Sequence, residues 1–304
     1  MLRQLNISDG KLTESQNGSG QVCVYIAPDE AERKYLVDQL KIDEHTLNSS
    51  LDPDEVSRLE FEPEHIAMIF KRPKRYSAID NFLFRVGSTG AFMFKDRLVI
   101  VLAEDAPIFE GRPFTKIQSI QDVFLRLIYR AISHFVEHLR GINQISNELE
   151  QQINSAMENK YLLNLFTLEK SLVYYLDATH SNNAVIEKLK NNAAKIGFSQ
   201  ENVEFLDDIQ IENTQCLRQT EIYSQVLASL MDARASIISN NLNIRIKALT
   251  LITIGIMLPT LVVSVFSMNV VIPIAWYKHA FWIITGLAAT SSATVGFLWW
   301  RKKW

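Results

Sequence analysis

Five hydroxyl side chains fall on one line of a segment that carries no charge. No charged residue stands between Lys247 and Lys278, and stepping by three and four from Asn243 gives Ile246, Thr250, Thr253, Met257, Thr260, Ser264 and Ser267. On a helix these positions share one face, and every hydroxyl of residues 243–269 is among them. Leu251, Ile254, Leu258, Leu261, Val262 and Val265 occupy the faces beside the line. Two roles are open to it. Each hydroxyl can donate to the carbonyl one turn back, or small side chains can mark an ordinary helix contact. Alternatively the hydroxyls face water in a pore. One helix encloses nothing, so a pore requires identical subunits around a cyclic axis. That all five share one seam, with Asn243 at its start and Asn269 just past its end, favours the pore.

The elements that must position this line follow from length and charge. Residues 249–266 are eighteen in a row that are apolar or carry only a hydroxyl, about what a helix needs to cross a bilayer core of ~30 Å. A second uncharged run covers 280–300. Trp276, Tyr277 and Trp282 at one end, and Trp299, Trp300 and Trp304 at the other, suit interfacial belts. Arg245 and Lys247 precede the first run and Arg301, Lys302 and Lys303 follow the second, whereas the connecting residues 270–279 hold Lys278 alone. Positive-inside counting therefore predicts a multi-pass protein of the plasma or inner membrane with both termini cytoplasmic.

Before the spans, proline divides the chain. Six of the eight prolines lie at or before Pro113. Up to there, strands and short helices alternate: a strand at 21–27, helices at 29–41 and 44–50, and extended runs at 56–62, 64–70, 81–86 and 90–102. Pro63, Pro73 and Gly87 punctuate those runs. Residues 1–114 are thus expected to form a cytosolic α/β domain with a mixed sheet. Residues 115–247 read as long helices, about 119–159, 162–195 and from 200 onwards, forming a stalk. The third helix meets no breaker before the membrane, so it is expected to run on unbroken over ~100 Å. The remaining divisions are a first span at 248–269, an outer loop at 270–279, a second span at 280–300 and a basic tail at 301–304.

Several functions are excluded by what is missing. A net charge of −3 in 304 residues offers nothing to nucleic acid. Neither G-x-x-x-x-G-K-[ST] nor G-x-G-x-x-G occurs. Cys23 and Cys216 stand apart without metal-knuckle spacing and fit a reducing cytosol. The opening residues MLRQLNISDGKLTES have no signal-peptide core. The six histidines give no H-E-x-x-H and no cluster, and Glu104-Asp105 reads as a turn before Pro107, so no enzyme is expected. Glu201, Glu204, Asp207, Asp208 and Glu212 open the third helix. They either complement its dipole or sense a divalent cation. Asp232 lies on the hydroxyl line continued downwards, as an acidic ring or as a simple exposed acid.

Two spans at the C-terminal end, the α/β and helical part before them, and Ser267-Met268-Asn269 at the end of the first span resemble the CorA magnesium-transporter family. In that family the tripeptide is Gly-Met-Asn. Residues 245–269 look like the family's first span, including Lys247-Ala-Leu-Thr and Leu258-Pro259, and residues 52–70 and 90–102 look like its N-terminal sheet. The resemblance implies a funnel-shaped homopentamer with the first span lining the pore. Asn269, with Ser267 and Met268, would form the outer mouth. Thr260 and Asn243 would be polar rings, while Ile246, Leu249 and Met257 would form a hydrophobic constriction, with Thr253 on the same wall. Arg301, Lys302 and Lys303 would repeat as a basic cytosolic ring. Mg²⁺ gives up its waters reluctantly, so neutral amide oxygens such as that of Asn269 can select it through its hydration shell. The resemblance also implies a regulatory Mg²⁺ at Asp208 bridging to a neighbouring subunit, with Glu204, Glu212 and Asp232 as further candidates. The chain departs from the family at Ser267, in an outer loop without Asp or Glu, and in less acidic middle helices. These departures leave Zn²⁺, Co²⁺ or Ni²⁺ as alternative cargo, or a poorly conducting scaffold or sensor.

Overall fold

A computed structural model describes residues 1–15, 20–156, 159–274 and 276–302. It divides into two compact units, Met1–Met231 and Asp232–Trp304.

The first unit is built on a seven-stranded sheet in the order β2-β1-β3-β7-β6-β5-β4. At its centre β3 (Val22–Ile26) pairs in parallel with β7 (Leu98–Leu102), and the other pairings are antiparallel, so the sheet is mixed. LVIVL is an unbroken apolar run because both faces are covered. Leu98, Ile100 and Leu102 join a large core under the long helices, while Val99 and Val101 join a smaller one under α1 (Glu30–Asp38) and α2 (Glu44–Leu51). Asp29 caps α1 in a reciprocal box with Glu32, and Asp43 caps α2 through Thr46.

Three parts of the sequence-based expectation are corrected. Residues 2–14, read only as polar, form the hairpin β1 (Leu2–Ser8) and β2 (Lys11–Glu14), closed by Asp9 and Gly10 at φ +51° and +74°. The run 81–86 is not a strand up to residue 85, and only Val86 at its end belongs to one. Ser77 bonds Asp80 to start a tight turn, and Asn81 and Phe82 then take positive φ, which breaks extension. The stretch 90–102 is two strands, β6 (Val86–Met93) and β7, folded back on each other by the 94–97 turn. Gly87 therefore sits inside β6 and punctuates nothing. Gly90 is needed there because a Cβ would fall 2.5 Å from that of Ser50 on α2.

Two long helices cover one face of the sheet. α3 (Ile120–Ala156) buries Phe124, Ile128, Phe135 and Leu139, and α4 (Asn159–Asn191) buries Leu168, Leu172, Tyr175 and Ile186. The short α5 (Ala193–Ile196) ends at Gly197, with φ +81°. α6 (Gln200–Phe266) follows Ser199, whose hydroxyl accepts from the Asn202 N–H at 3.2 Å. Within the first unit α6 buries Asn202, Leu206, Ile209, Asn213, Cys216, Thr220 and Leu227, alternating three and four residues apart up to Thr220. α4 docks on the sheet through a polar key as well. β4 (Arg58–Phe61) leaves β5 (Ile66–Pro73) unpaired beyond Ile69 on that side. There the buried Asn182 accepts from Lys71 N–H at 2.8 Å and donates to its carbonyl at 2.9 Å.

Candidate ion-conduction face

Both the later part of α6 and α7 (Ala280–Lys302) are long and apolar enough to cross a membrane. In the second unit, the half-buried positions of α6 between Leu251 and Phe266 are Leu251, Gly255, Pro259, Val262 and Phe266. Those of α7 are Ala280, Ile284, Ala288, Ser291 and Val295. Spaced by three and four, each set forms one seam. Pro259 has no N–H to give the Gly255 carbonyl one turn back. The Ser292 hydroxyl of α7 donates to that carbonyl at 3.4 Å, which ties the two helices at this point.

The hydroxyl line is on the other side. At ~100° per residue its mean direction lies about 180° from the seam. Thr250, Thr253, Thr260, Ser264 and Ser267 are all exposed, as are Asn243, Ile246, Leu249 and Met257. Thr250, Thr253 and Thr260 donate to the carbonyls of Ile246, Leu249 and Ile256 at 2.9, 2.9 and 2.7 Å. The first of the two roles is therefore filled by these three threonines. It leaves the second open, because a hydroxyl that donates backwards keeps oxygen lone pairs free to accept from water. α6 ends at Phe266, earlier than the expected 269. Ser267 directs both its N–H, at 3.2 Å, and its hydroxyl, at 3.0 Å, to the Ser264 carbonyl. Met268 and Asn269 follow in a bend, both exposed.

Among the described residues, the acidic side chains singled out on α6 do not converge on a common point. Glu201, Glu204, Asp208 and Glu212 are exposed along one line of α6. Asp207 turns aside to Lys190, 2.7 Å away, and Glu204 accepts from Gln200 at 3.2 Å. Asp232 is exposed in the second unit. Among the described residues no group of three or more His, Cys, Asp or Glu could hold a metal ion. Arg301 is exposed near the end of α7, Lys302 is that helix's last residue, and Lys303 lies outside the described residues, as does Trp304.

The histidines do include a cluster, contrary to expectation. His134 and His138 sit one turn apart on α3 with ring centroids at 4.3 Å, and His138 Nδ1 is 2.6 Å from the Tyr175 hydroxyl. Spacing of four within a helix was the available signal. Burial, then the His138 ring, then Arg130 and Arg72 push His134 down to about 3, and burial is the main cause that holds His138 at about 4.

Comparison with known proteins places this architecture. The family model of the CorA-like Mg²⁺ transporter proteins matches residues 24–303. The cobalt/magnesium transport protein CorA of Methanocaldococcus jannaschii is 23% identical over 288 residues, 91% of this chain and 89% of that one. The complete structure of the CorA magnesium transporter from the same organism superposes with a TM-score of 0.81 at 18% identity, covering 99% of this chain and 96% of that one. Full-length CmaX gives 0.74 at 16% identity, covering 100% and 97%. The cytoplasmic domain of ZntB from Vibrio parahaemolyticus gives 0.60 at 13%, covering 78% and 98%. With the family model matched over nearly its whole length, the chain belongs to the family of CorA-like Mg²⁺ transporter proteins.

Proposed function

We propose that the protein is a homopentameric divalent-cation channel in which five copies of α6 enclose the path and hydrated Mg²⁺ is the cargo. The observation that carries this reading is the exposed hydroxyl line opposite the α7 seam. A helix that spends one face on its hairpin partner has the other free for an axis shared with its copies. Along that face, hydroxyl oxygens at Thr250, Thr253 and Thr260 accept from the cation's water shell. Exposed Ile246, Leu249 and Met257 form the dewetting constriction, and Asn243 adds an amide ring at one end. Past the helix end, Asn269, with Ser267 and Met268, forms the outer mouth. The termini and the basic ends of the spans lie on the cytoplasmic side. No carboxylate lies in either span, which suits passage with the water shell kept. The membrane potential supplies about 4.6 kcal/mol per 100 mV for two charges, roughly three orders of magnitude in ion ratio.

Closure is set by cytosolic Mg²⁺. The exposed line Glu201, Glu204, Asp208, Glu212 lacks a metal group of its own, which suits a site completed by the neighbouring subunit. Asp208→Ala then weakens inhibition by internal Mg²⁺, and unchanged inhibition removes that role.

Mg²⁺ uptake into proteoliposomes tests the conduction path. It is driven by an inside-negative potential and lost in Asn269→Ala. Competition among Mg²⁺, Zn²⁺, Co²⁺ and Ni²⁺ ranks the cargo. A second reading, a poorly conducting scaffold or sensor, is favoured by Ser267 in place of the family's glycine and by the acid-free outer loop. Potential-independent, Asn269-insensitive leakage would select it.

A further inference from the structure

The end of β5, the loop around Pro107 and the first half of α3 enclose a small cavity of about 20 Å³ in the first unit. Its polar walls are Arg72, Arg75, Arg130 and His134, and no carboxylate lines it. Arg72 is 6 % exposed. Its Nη1 donates to the Pro73 carbonyl at 3.2 Å, its Nη2 lies a loose 3.8 Å from Glu104, and its Nε is buried without a partner. Glu104 is shared with Lys74, 3.5 Å away. Arg130 places Nη1 3.0 Å from Glu137 and likewise buries an unpartnered Nε. Of the three arginines that line the cavity, Arg72 and Arg130 thus have one carboxylate each, that of Arg72 shared with Lys74, and the exposed Arg75 has none among the described residues.

A buried charged donor without an acceptor is strongly unfavourable, and like charges at low dielectric add to the cost. A single water fits a cavity of this size and would accept the stranded N–H groups. It would leave the excess positive charge uncompensated, whereas an anion answers both deficits through charge-assisted bonds. The space is too small for a tetrahedral oxyanion. His134 is held neutral, so its ring adds a donor without adding charge.

We propose that this cavity binds one halide ion, held by the unpartnered Nε–H groups of Arg72 and Arg130. The site is independent of the pore reading and predicts anion-specific stability. The full chain in detergent is melted at constant ionic strength while gluconate is exchanged for chloride or bromide. The expected result is a saturable Tm rise of roughly 2–5 °C, absent in Arg130→Met. Equal Tm in all three salts, or the same rise in the variant, overturns the proposal. Crystals grown in bromide give a second measurement that needs no variant. An anomalous peak within reach of both Nε atoms supports the site, and water alone there overturns it.

Discussion

Replacing Asn182 by alanine tests how the helices hold the sheet. The residue is fully buried and makes three bonds: it accepts from Lys71 N–H at 2.8 Å and from the Ser57 hydroxyl at 2.9 Å, and it donates to the Lys71 carbonyl at 2.9 Å. Lys71 lies past the last β4–β5 pair, so no strand is available to take its N–H and carbonyl in place of the amide. Each buried polar group left unmade costs about 1–3 kcal/mol; the two fixed backbone groups of Lys71 are stranded, whereas the Ser57 hydroxyl hydrogen can rotate to suit. The better helix propensity of alanine offsets about 0.7 kcal/mol. The net loss is about 3 kcal/mol, a Tm drop of about 6–12 °C for a unit of this size. Apparent Tm of the full chain in detergent, at a fixed scan rate, is the assay. Asn183→Ala is the matched control. Its side chain is half-buried and bonds Glu187 at 2.7 Å and Asn213 at 3.3 Å, so it should lose no more than about 1 kcal/mol. Equal Tm for the two variants would refute the idea that Asn182 stands in for a missing strand.

Thr253→Leu separates a pore from a lipid environment. Five added isobutyl groups around an axis should abolish uptake, whereas on a lipid face the change should leave uptake and stability unaltered. The buried imidazoles predict acid sensitivity. His134 and His138 have folded pKa values of about 3 and about 4, below their ordinary 6.5. The unfolded chain therefore binds more protons between about pH 4 and 6.5, and stability falls as pH drops through that window. Tm should decline from pH 7 to pH 5 by less in the His134→Gln/His138→Gln double variant than in the parent chain, and equal declines would refute the assignment.

What the sequence disclosed follows from how locally each feature is encoded. The hydroxyl line was legible because one period, one charge-free segment and five side chains of a single kind agree. α7 leaves the same line exposed. The unbroken course of α6 was legible from the lack of any breaker before Pro259, and Pro259 itself is absorbed within the helix. The β1–β2 hairpin was missed because LRQLNIS is polar for a strand: β1 pairs with β2 and β3, yet none of its residues is fully buried. Its signal was Asp9-Gly10, the two-residue turn that joins paired Ser8 and Lys11. Nothing local marks Asn182, whose partners Ser57 and Lys71 lie more than a hundred residues away. The Arg72–Arg130 cavity was illegible for the same reason, since it exists only once β5 meets α3.

The back-bonded hydroxyls decide less than they first suggest. A threonine whose hydrogen is spent on its own helix is cheap in lipid as well as in water, so Thr250, Thr253 and Thr260 alone are compatible with either surrounding. The amides are more discriminating. Asn243 begins the line and Asn269 follows its end, both exposed in the protomer. An amide has two donors and two acceptor lone pairs that a helix backbone cannot all satisfy. Asn243 lies before the span, ahead of Arg245 and Lys247, so the test falls on Asn269: facing hydrocarbon, unmet groups of this kind cost several kcal/mol each, whereas facing a wet axis they are met by water. In the proposed pore, the threonine line with amides at both ends faces water along one face of α6, and the Leu, Ile and Val beside it face apolar neighbours.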